Sequence, residues 1–306
     1  MRHLVILNPT AGKGAAGEHE PIVRKLLDSA RLDYALVHTE GPMHAAQLAQ
    51  GASEEGFDVV VAAGGDGTCN EIVNGLMGMP KSAIRPALGV LCIGRGNDFA
   101  FGAGIPHPIE EGVQVLAAGK RRRLDVGKLS GCGEMDPRFF CNGVGVGFDT
   151  IVGLEAAKMK HVGSFLGYIL GALKTIVTFP EAPTVRLRYG SNELNQQAIQ
   201  ISIMVGRRMG GAFYMCPHSI SDDGELDFCV AGRVGRGKMV GLFLKFLKGT
   251  QEESPDITSG RSTSYDLTAE EGLLLVHADG ETICTEGKRL SVECVPQALE
   301  VVTVTR

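Results

Sequence analysis

Apolar positions in the first third of the chain follow two alternating rhythms. Continuous runs, HLVIL (residues 3–7), YALVH (34–38), DVVVAA (58–63) and ALGVLCI (87–93), read as buried strands. Between them Ile22, Val23, Leu26, Leu27 and Ala30 recur at helical spacing, and further helical patterns cover residues 43–55 and 109–118. The alternation predicts a parallel α/β layer over residues 1–123. Each strand runs into a polar loop, NPTAGKG, HTEGP, GGDGT or GRGND. In open parallel sheets ligands sit outside the carboxyl ends of the strands, so the four loops predict one binding crevice.

From residue 124 the rhythm changes. RLDVGKLS, RFFCNGVGVGFD, TVRLRYG, AIQISIMVGR, ELDFCVA, LLLVHADGE, RLSVECV and LEVVTVT are short strand-like runs separated by turn residues. They predict a second, antiparallel β-rich domain over residues 124–306. KMKHVGSFLGYILGALKTIVTFP (158–180) interrupts them: it is long and apolar, but Lys174 and several glycines break it. It predicts a docked helix rather than a membrane span, which needs about 20 predominantly apolar residues. The apolar stretch Leu4–Leu7 is too short for the core of an export signal, so a cytoplasmic protein is expected.

Composition narrows the function classes. The 306 residues suffice for two domains. A net charge of -5 argues against a general nucleic-acid binder and confines any basic surface to a local patch. The eight cysteines show no CxxC pair or framework spacing and read as reduced core residues, which disfavours a thiolate metal site. No low-complexity stretch accompanies the 42 glycines, so these serve particular loops.

The loop Gly64-Gly65-Asp66-Gly67-Thr68 lies between a strand and a helix, where glycines let backbone approach a phosphate and a helix start presents free N–H groups. Thr68 and Glu71 also fit a helix-capping box, Thr-x-x-Glu. Asp66 needs another reason. A carboxylate beside phosphates is repulsive unless it serves a cation or accepts a proton, so Asp66 points to metal-assisted phosphoryl transfer. The next loop, Gly94-Arg95-Gly96-Asn97-Asp98, again ends in an acid. NPTAGKG lacks the spacing of a Walker A loop, and a plain βα turn explains it equally well.

GGDGTCNEIVNGL, followed by GRGNDFA, preceded by NPTAGKG and joined far downstream by HADGE, resembles the diacylglycerol kinase-like lipid kinases, whose bacterial branch is similar to sphingosine kinases. The resemblance runs in order along nearly the whole chain. It implies an α/β domain of the NAD kinase and phosphofructokinase type, a C-terminal β-sandwich, and ATP and Mg2+ as cofactors. By that resemblance Asn8, Thr39, Gly64, Gly65, Asp66, Gly67, Thr68, Cys69, Asn70 and Arg95 line the nucleotide site; Arg95 stands where the family has Thr. Asp66 and Asp98 serve catalysis near the metal, and Asp125 matches a further acidic position beside it. Glu281 matches the proposed general base, with Asp279 supporting it. Asp223, with carbonyls of Ile220 and Glu225, matches a second Mg2+ site; Asp-Asp-Gly is equally a hairpin turn. Asn142 and Gly145 match the start of the sandwich.

The expected reaction moves the γ-phosphoryl group of ATP to a lipid hydroxyl, with diacylglycerol first and a sphingoid base next. An NAD kinase-like enzyme and a non-catalytic nucleotide- or lipid-binding regulator are the alternatives. Expected partners are ATP, the lipid and an anionic inner membrane face, with a homodimer left open. KRRR (120–123), Lys158, Lys160, Arg233, Arg236, Lys238, Lys245 and Lys248 could meet anionic headgroups, and GKMVGLFLKFLKG (237–249) suits either an interfacial or an ordinary surface helix.

Overall fold

A computed structural model describes residues 1–80, 82–132, 137–158, 164–179 and 181–304. Two compact units result: Met1–Val126 together with Pro296–Arg306, and Gly127–Val295.

The first unit runs β1 (Arg2–Leu7), α1 (Ala15–Ser29), β2 (Asp33–His38), α2 (His44–Gly51), β3 (Val59–Gly64), α3 (Asp66–Gly78), β4 (Ala87–Cys92), α4 (Asp98–Ala103), α5 (Ile109–Ala118) and the start of β5 (Arg121–Ser130). Strands lie side by side in the order β2-β1-β3-β4, all parallel. Every residue of β3 and β4 is buried, as expected for strands covered on both faces, whereas β2, at the edge, stays half exposed. Val23 and Leu27 of α1 and Val113 and Leu116 of α5 close over Val5, Leu7, Val61 and Leu91. Burial of each such side chain contributes roughly 1.5–3 kcal/mol, which holds the strand ends and their loops rigid.

The second unit contains β6 (Arg138–Phe140), β7 (Gly143–Gly147), α6 (Phe148–Lys158), α7 (Ser164–Thr178), β8 (Thr184–Tyr189), β9 (Asn192–Met204), β10 (Leu226–Gly232), α8 (Arg236–Lys248), β11 (Ile257–Ser262), β12 (Ser264–Glu271), β13 (Leu274–Ala278), β14 (Glu281–Gly287) and most of β15 (Arg289–Val302). It is an antiparallel sandwich whose two sheets share β9. The first part of β9 pairs with β8, which leads through β12 to β15. Its later part pairs with β7 and β10, and β13, β14 and β11 extend that second sheet. The core includes Phe140, Leu187, Phe228 and Tyr265. The Tyr265 ring meets Phe228 edge-on, and its hydroxyl donates to the Leu226 carbonyl, so a buried polar group is satisfied.

Several sequence expectations change. RLSVECV and LEVVTVT join into the single strand β15, whose end leaves the second unit and lies parallel to β4 at Val301 and Leu88. A division placing all of 124–306 in one domain therefore misses this return, which sequence spacing cannot show. β11 and β12 do not read as apolar runs, because β11 buries only Ser262 and β12 turns only alternate residues, Tyr265, Leu267 and Ala269, inward. Phe148 and Asp149 begin α6 rather than ending a strand. The helix expected over 158–180 is α7, Ser164–Thr178; Lys160 lies outside the described residues. KRRR opens β5, where Arg121 pairs with Glu300 at 2.8 Å. Cys132 and Cys284, 152 residues apart in sequence, are brought together with Cα atoms 6.1 Å apart, a juxtaposition beyond any local spacing signal. Among the described residues no helix is long and apolar enough to cross a membrane.

Candidate active site

Three loops of the first unit meet at the carboxyl ends of its strands. The Asn8 side chain ties two of them: its amide nitrogen donates to Thr68 Oγ1 at 3.2 Å, while its oxygen accepts from the Thr10 amide and hydroxyl at 3.1 and 2.8 Å. The third loop approaches so closely that a Cβ on Gly94 would fall 2.3 Å from Gly65 Cα and 2.7 Å from Asn97 Oδ1. Only hydrogen at position 94 permits this backbone-on-backbone contact. Asn97 adopts the left-handed conformation, φ 50°, and its amide donates back to the Gly94 carbonyl at 3.1 Å. The loop is therefore set before any ligand arrives.

Asp66 opens α3 at the edge of this cradle and accepts the Phe99 amide of α4 at 3.1 Å. One carboxylate thus spans the starts of two helices, where free N–H groups favour negative charge. Its charge also reaches Cys92: burial, and then Asp66, push that thiol up to about 12. Asp98 is buried at the start of α4. Thr68, Cys69 and Asn70 are buried as well, while Gly65, Asp66 and Gly67 remain accessible, so the first three shape the loop from behind. The capping-box expectation is corrected. Gly65 is the helix cap, Thr68 accepts from Asn8, and Glu71 reaches the Ala45 amide at 3.2 Å, because α3 begins three residues earlier than the motif requires. Arg95 is exposed on the third loop, and the Thr39 amide donates to Leu7 O at 3.0 Å, continuing the β1–β2 pairing.

Asp125 is also within this unit, 1 % exposed, and accepts the Gln297 amide at 2.7 Å. It holds the left-handed turn at Gln297, φ 49°, within returning β15. That contact gives it a structural task alongside the metal role implied by the resemblance.

In the second unit the turn joining β13 to β14 carries Asp279, Gly280 and Glu281. Asp279 is in the left-handed region, φ 47°, and its carboxylate accepts three backbone amides: Cys141 at 2.8 Å, Asn142 at 3.0 Å and Gly143 at 2.8 Å. Asp279 N–H donates back to the Gly143 carbonyl at 2.9 Å. Glu281, exposed at the first position of β14, leaves a turn that is pinned from below. Next to it lies a network that no sequence motif marks. His277 Nε2 is 3.1 Å from Asp149 Oδ2, which also accepts Gln200 Nε2 at 2.6 Å, and Gln200 Oε1 accepts the Asp149 amide at 2.9 Å. Gly145 fits against this pair: a Cβ there would fall 2.0 Å from Asp149 Oδ2. Burial alone would lower the His277 pKa, but Asp149 in contact and the charge of Asp279 together raise it. His277 was visible inside HADGE; Asp149 and Gln200 lie too far along the chain for spacing to betray them.

The second metal site expected from the resemblance meets a competing cation. Asp223 Oδ1 accepts the Glu225 amide at 3.1 Å, Arg261 Nη1 is 3.4 Å from Asp223 Oδ2, and Arg261 Nε is 3.2 Å from Glu225 Oε2. Ile220 is partly exposed beside them. Arg261 thus sits beside the Asp223 carboxylate that the resemblance assigns to the ion, while the carbonyls of Ile220 and Glu225 keep the role it implies. Among the described residues no group of three or more His, Cys, Asp or Glu side chains is placed to hold a metal.

A parallel α/β unit and an antiparallel β-sandwich unit are the fold of diacylglycerol kinases and NAD kinases. That fold recurs in crystal structures of a diacylglycerol kinase from Bacillus anthracis str. Sterne (TM-score 0.75, 24 % identity, 99 % of this chain and 97 % of that one) and of an NAD kinase from Archaeoglobus fulgidus in complex with ATP (TM-score 0.54, 15 % identity, 99 % and 94 %). The diacylglycerol kinase catalytic domain profile matches residues 2–129, and that of the YegS C-terminal NAD kinase beta sandwich-like domain matches residues 142–303. The chain is 31 % identical over 302 residues to the "Probable lipid kinase YegS-like" of Enterobacter sp. (strain 638), covering 97 % of this chain and 94 % of that protein. It is 29 % identical over 282 residues to the diacylglycerol kinase of Staphylococcus aureus (strain JH9), covering 92 % and 86 %. The chain belongs to the diacylglycerol kinase-like lipid kinase family and is a lipid kinase that uses ATP.

Proposed function

We propose that the enzyme transfers the γ-phosphoryl group of ATP to the hydroxyl of diacylglycerol, giving phosphatidic acid and ADP. The observation that carries the donor half is the contact of Gly65 with Gly94 beside accessible Asp66. It leaves backbone N–H groups and a cleared surface where phosphates bind. The residues that fit Mg2+ are Asp66 and Asp98, acids on adjoining loops of one unit; the ion, when bound, would neutralise charge on the β- and γ-phosphate oxygens.

Glu281 then takes the proton of the lipid hydroxyl as its oxygen bonds to the γ-phosphorus and the bond to the ADP oxygen breaks. Asp279 acts through the turn it pins rather than on substrate. Exposed Arg95 suits a phosphate contact in place of the family's Thr hydroxyl. Diacylglycerol resides in bilayers, so the enzyme works peripherally at a membrane surface, on the cytoplasmic side.

The test is turnover of labelled ATP with Mg2+ and a panel of lipid alcohols in mixed micelles. Diacylglycerol is phosphorylated, and Asp66→Ala and Glu281→Ala each lower kcat by about 10²–10⁴ or more. Labelling of NAD and of no lipid would sink the assignment.

A further inference from the structure

α7 and α8 pack together, and each buries one side in a common cluster, Ile176 from α7 and Met239, Leu242 and Phe246 from α8. Their other sides carry exposed apolar residues that none of the described residues covers. Leu170, Leu173 and Val177 follow one another at i, i+3 and i+7 on α7, with exposures of 39, 45 and 65 %. Val240 and Leu244 stand at i and i+4 on α8, 42 and 51 % exposed. Single exposed aliphatics are ordinary on a protein surface; a set grouped on two neighbouring helices marks an interaction site.

Charge identifies the partner. α8 holds Arg236, Lys238, Lys245 and Lys248 and no acid, and α7 holds Lys174 and no acid, on a chain whose net charge is -5. Lys174, Lys238 and Lys245 reach Glu155, Asp256 and Glu253, residues outside the two helices. Arg236 and Lys248 are exposed. Apolar stripes rimmed by cations match the boundary between anionic headgroups and acyl chains. They do not match a second copy, because a two-fold contact would set the cations of α8 against themselves.

We propose that the α7–α8 face is the docking surface for an anionic phospholipid bilayer, with Leu170, Leu173, Val177, Val240 and Leu244 entering the acyl boundary. The choice of a membrane rests on the lipid-kinase reading; the surface itself rests on exposure and charge. Docking there keeps the enzyme where a bilayer-resident acceptor is found.

Co-sedimentation with phosphatidylglycerol and with phosphatidylcholine vesicles tests it. The protein sediments with the anionic vesicles, less at high salt, and Leu173→Glu/Val177→Glu lowers partitioning about tenfold or more while the thermal melt stays unchanged. Arg236→Glu/Lys248→Glu weakens binding and flattens its salt dependence. Vesicle binding unaltered by both double variants overturns the surface, as does sedimentation-velocity evidence that Leu173→Glu/Val177→Glu dissociates a dimer without changing vesicle binding. Turnover in detergent micelles separates the two readings. Vesicle binding lost in the variants supports the surface even if no lipid alcohol is phosphorylated, a failure that falls on the proposed reaction alone.

Discussion

Replacement of Asp279 by Ala isolates what its carboxylate contributes. The residue is 7 % exposed and accepts the amides of Cys141, Asn142 and Gly143. Removal of the acceptor leaves three inward donors unpaired, at about 1–3 kcal/mol each less whatever water restores. Ala at φ 47° adds strain of roughly 1–2 kcal/mol, which Asp tolerates through its short polar side chain. The loss expected is about 3–6 kcal/mol. Asn should lose only about 1–2 kcal/mol, since it keeps the conformation and one accepting oxygen while its NH2 opposes an amide. Urea unfolding followed in the sandwich unit gives the stability change, and hydrogen exchange at residues 141–143 shows whether those amides open first. An Ala variant within about 1 kcal/mol of the parent, with exchange at 141–143 unaltered, would refute the claim that this carboxylate pins the turn.

Two other perturbations have definite signs. His277 has its pKa raised above the ordinary 6.5 by Asp149 and Asp279 despite burial, so its ion pair contributes fully below pH 6.5 and fades as pH rises through the raised value. His277→Gln should flatten that alkaline decline in unfolding free energy, and an identical slope in both proteins would remove the pair from the account. Gly94→Ala forces a methyl to 2.3 Å from Gly65 Cα, so the loops must part; ATP affinity should fall at least about tenfold in calorimetry with the melting temperature of the sandwich unit unchanged, and normal affinity would contradict the cradle.

Much of the first unit was legible because its strands are continuous apolar runs and its helices carry a regular stripe; β1 to β4 and α5 lie within a residue or two of their predicted limits. The sandwich was legible in class and less so in detail. β12 alternates inward Tyr265, Leu267 and Ala269 with polar residues, a pattern that polar loops imitate, and β15 continues through Pro296 where the sequence reads as two strands. The acids of the candidate site were legible as motifs, but their tasks were not. Asp66 as the cap of Phe99, Asp125 as the anchor of Gln297 and Asp279 as the acceptor of three amides are relations between distant residues.

What the sequence determined alone is therefore local: backbone periodicity, the polar loops at strand ends, and the glycines and acids within each loop, all governed by interactions over a few residues. Tertiary structure decided which loops meet and which carboxylates are already engaged. It placed Gly94 on Gly65, gave Asp223 and Glu225 a guanidinium partner, brought Cys132 beside Cys284 and left apolar residues of α7 and α8 exposed. The physical reason is that burial and hydrogen-bond satisfaction are settled by neighbours in space, and a local pattern specifies a face without specifying what covers it.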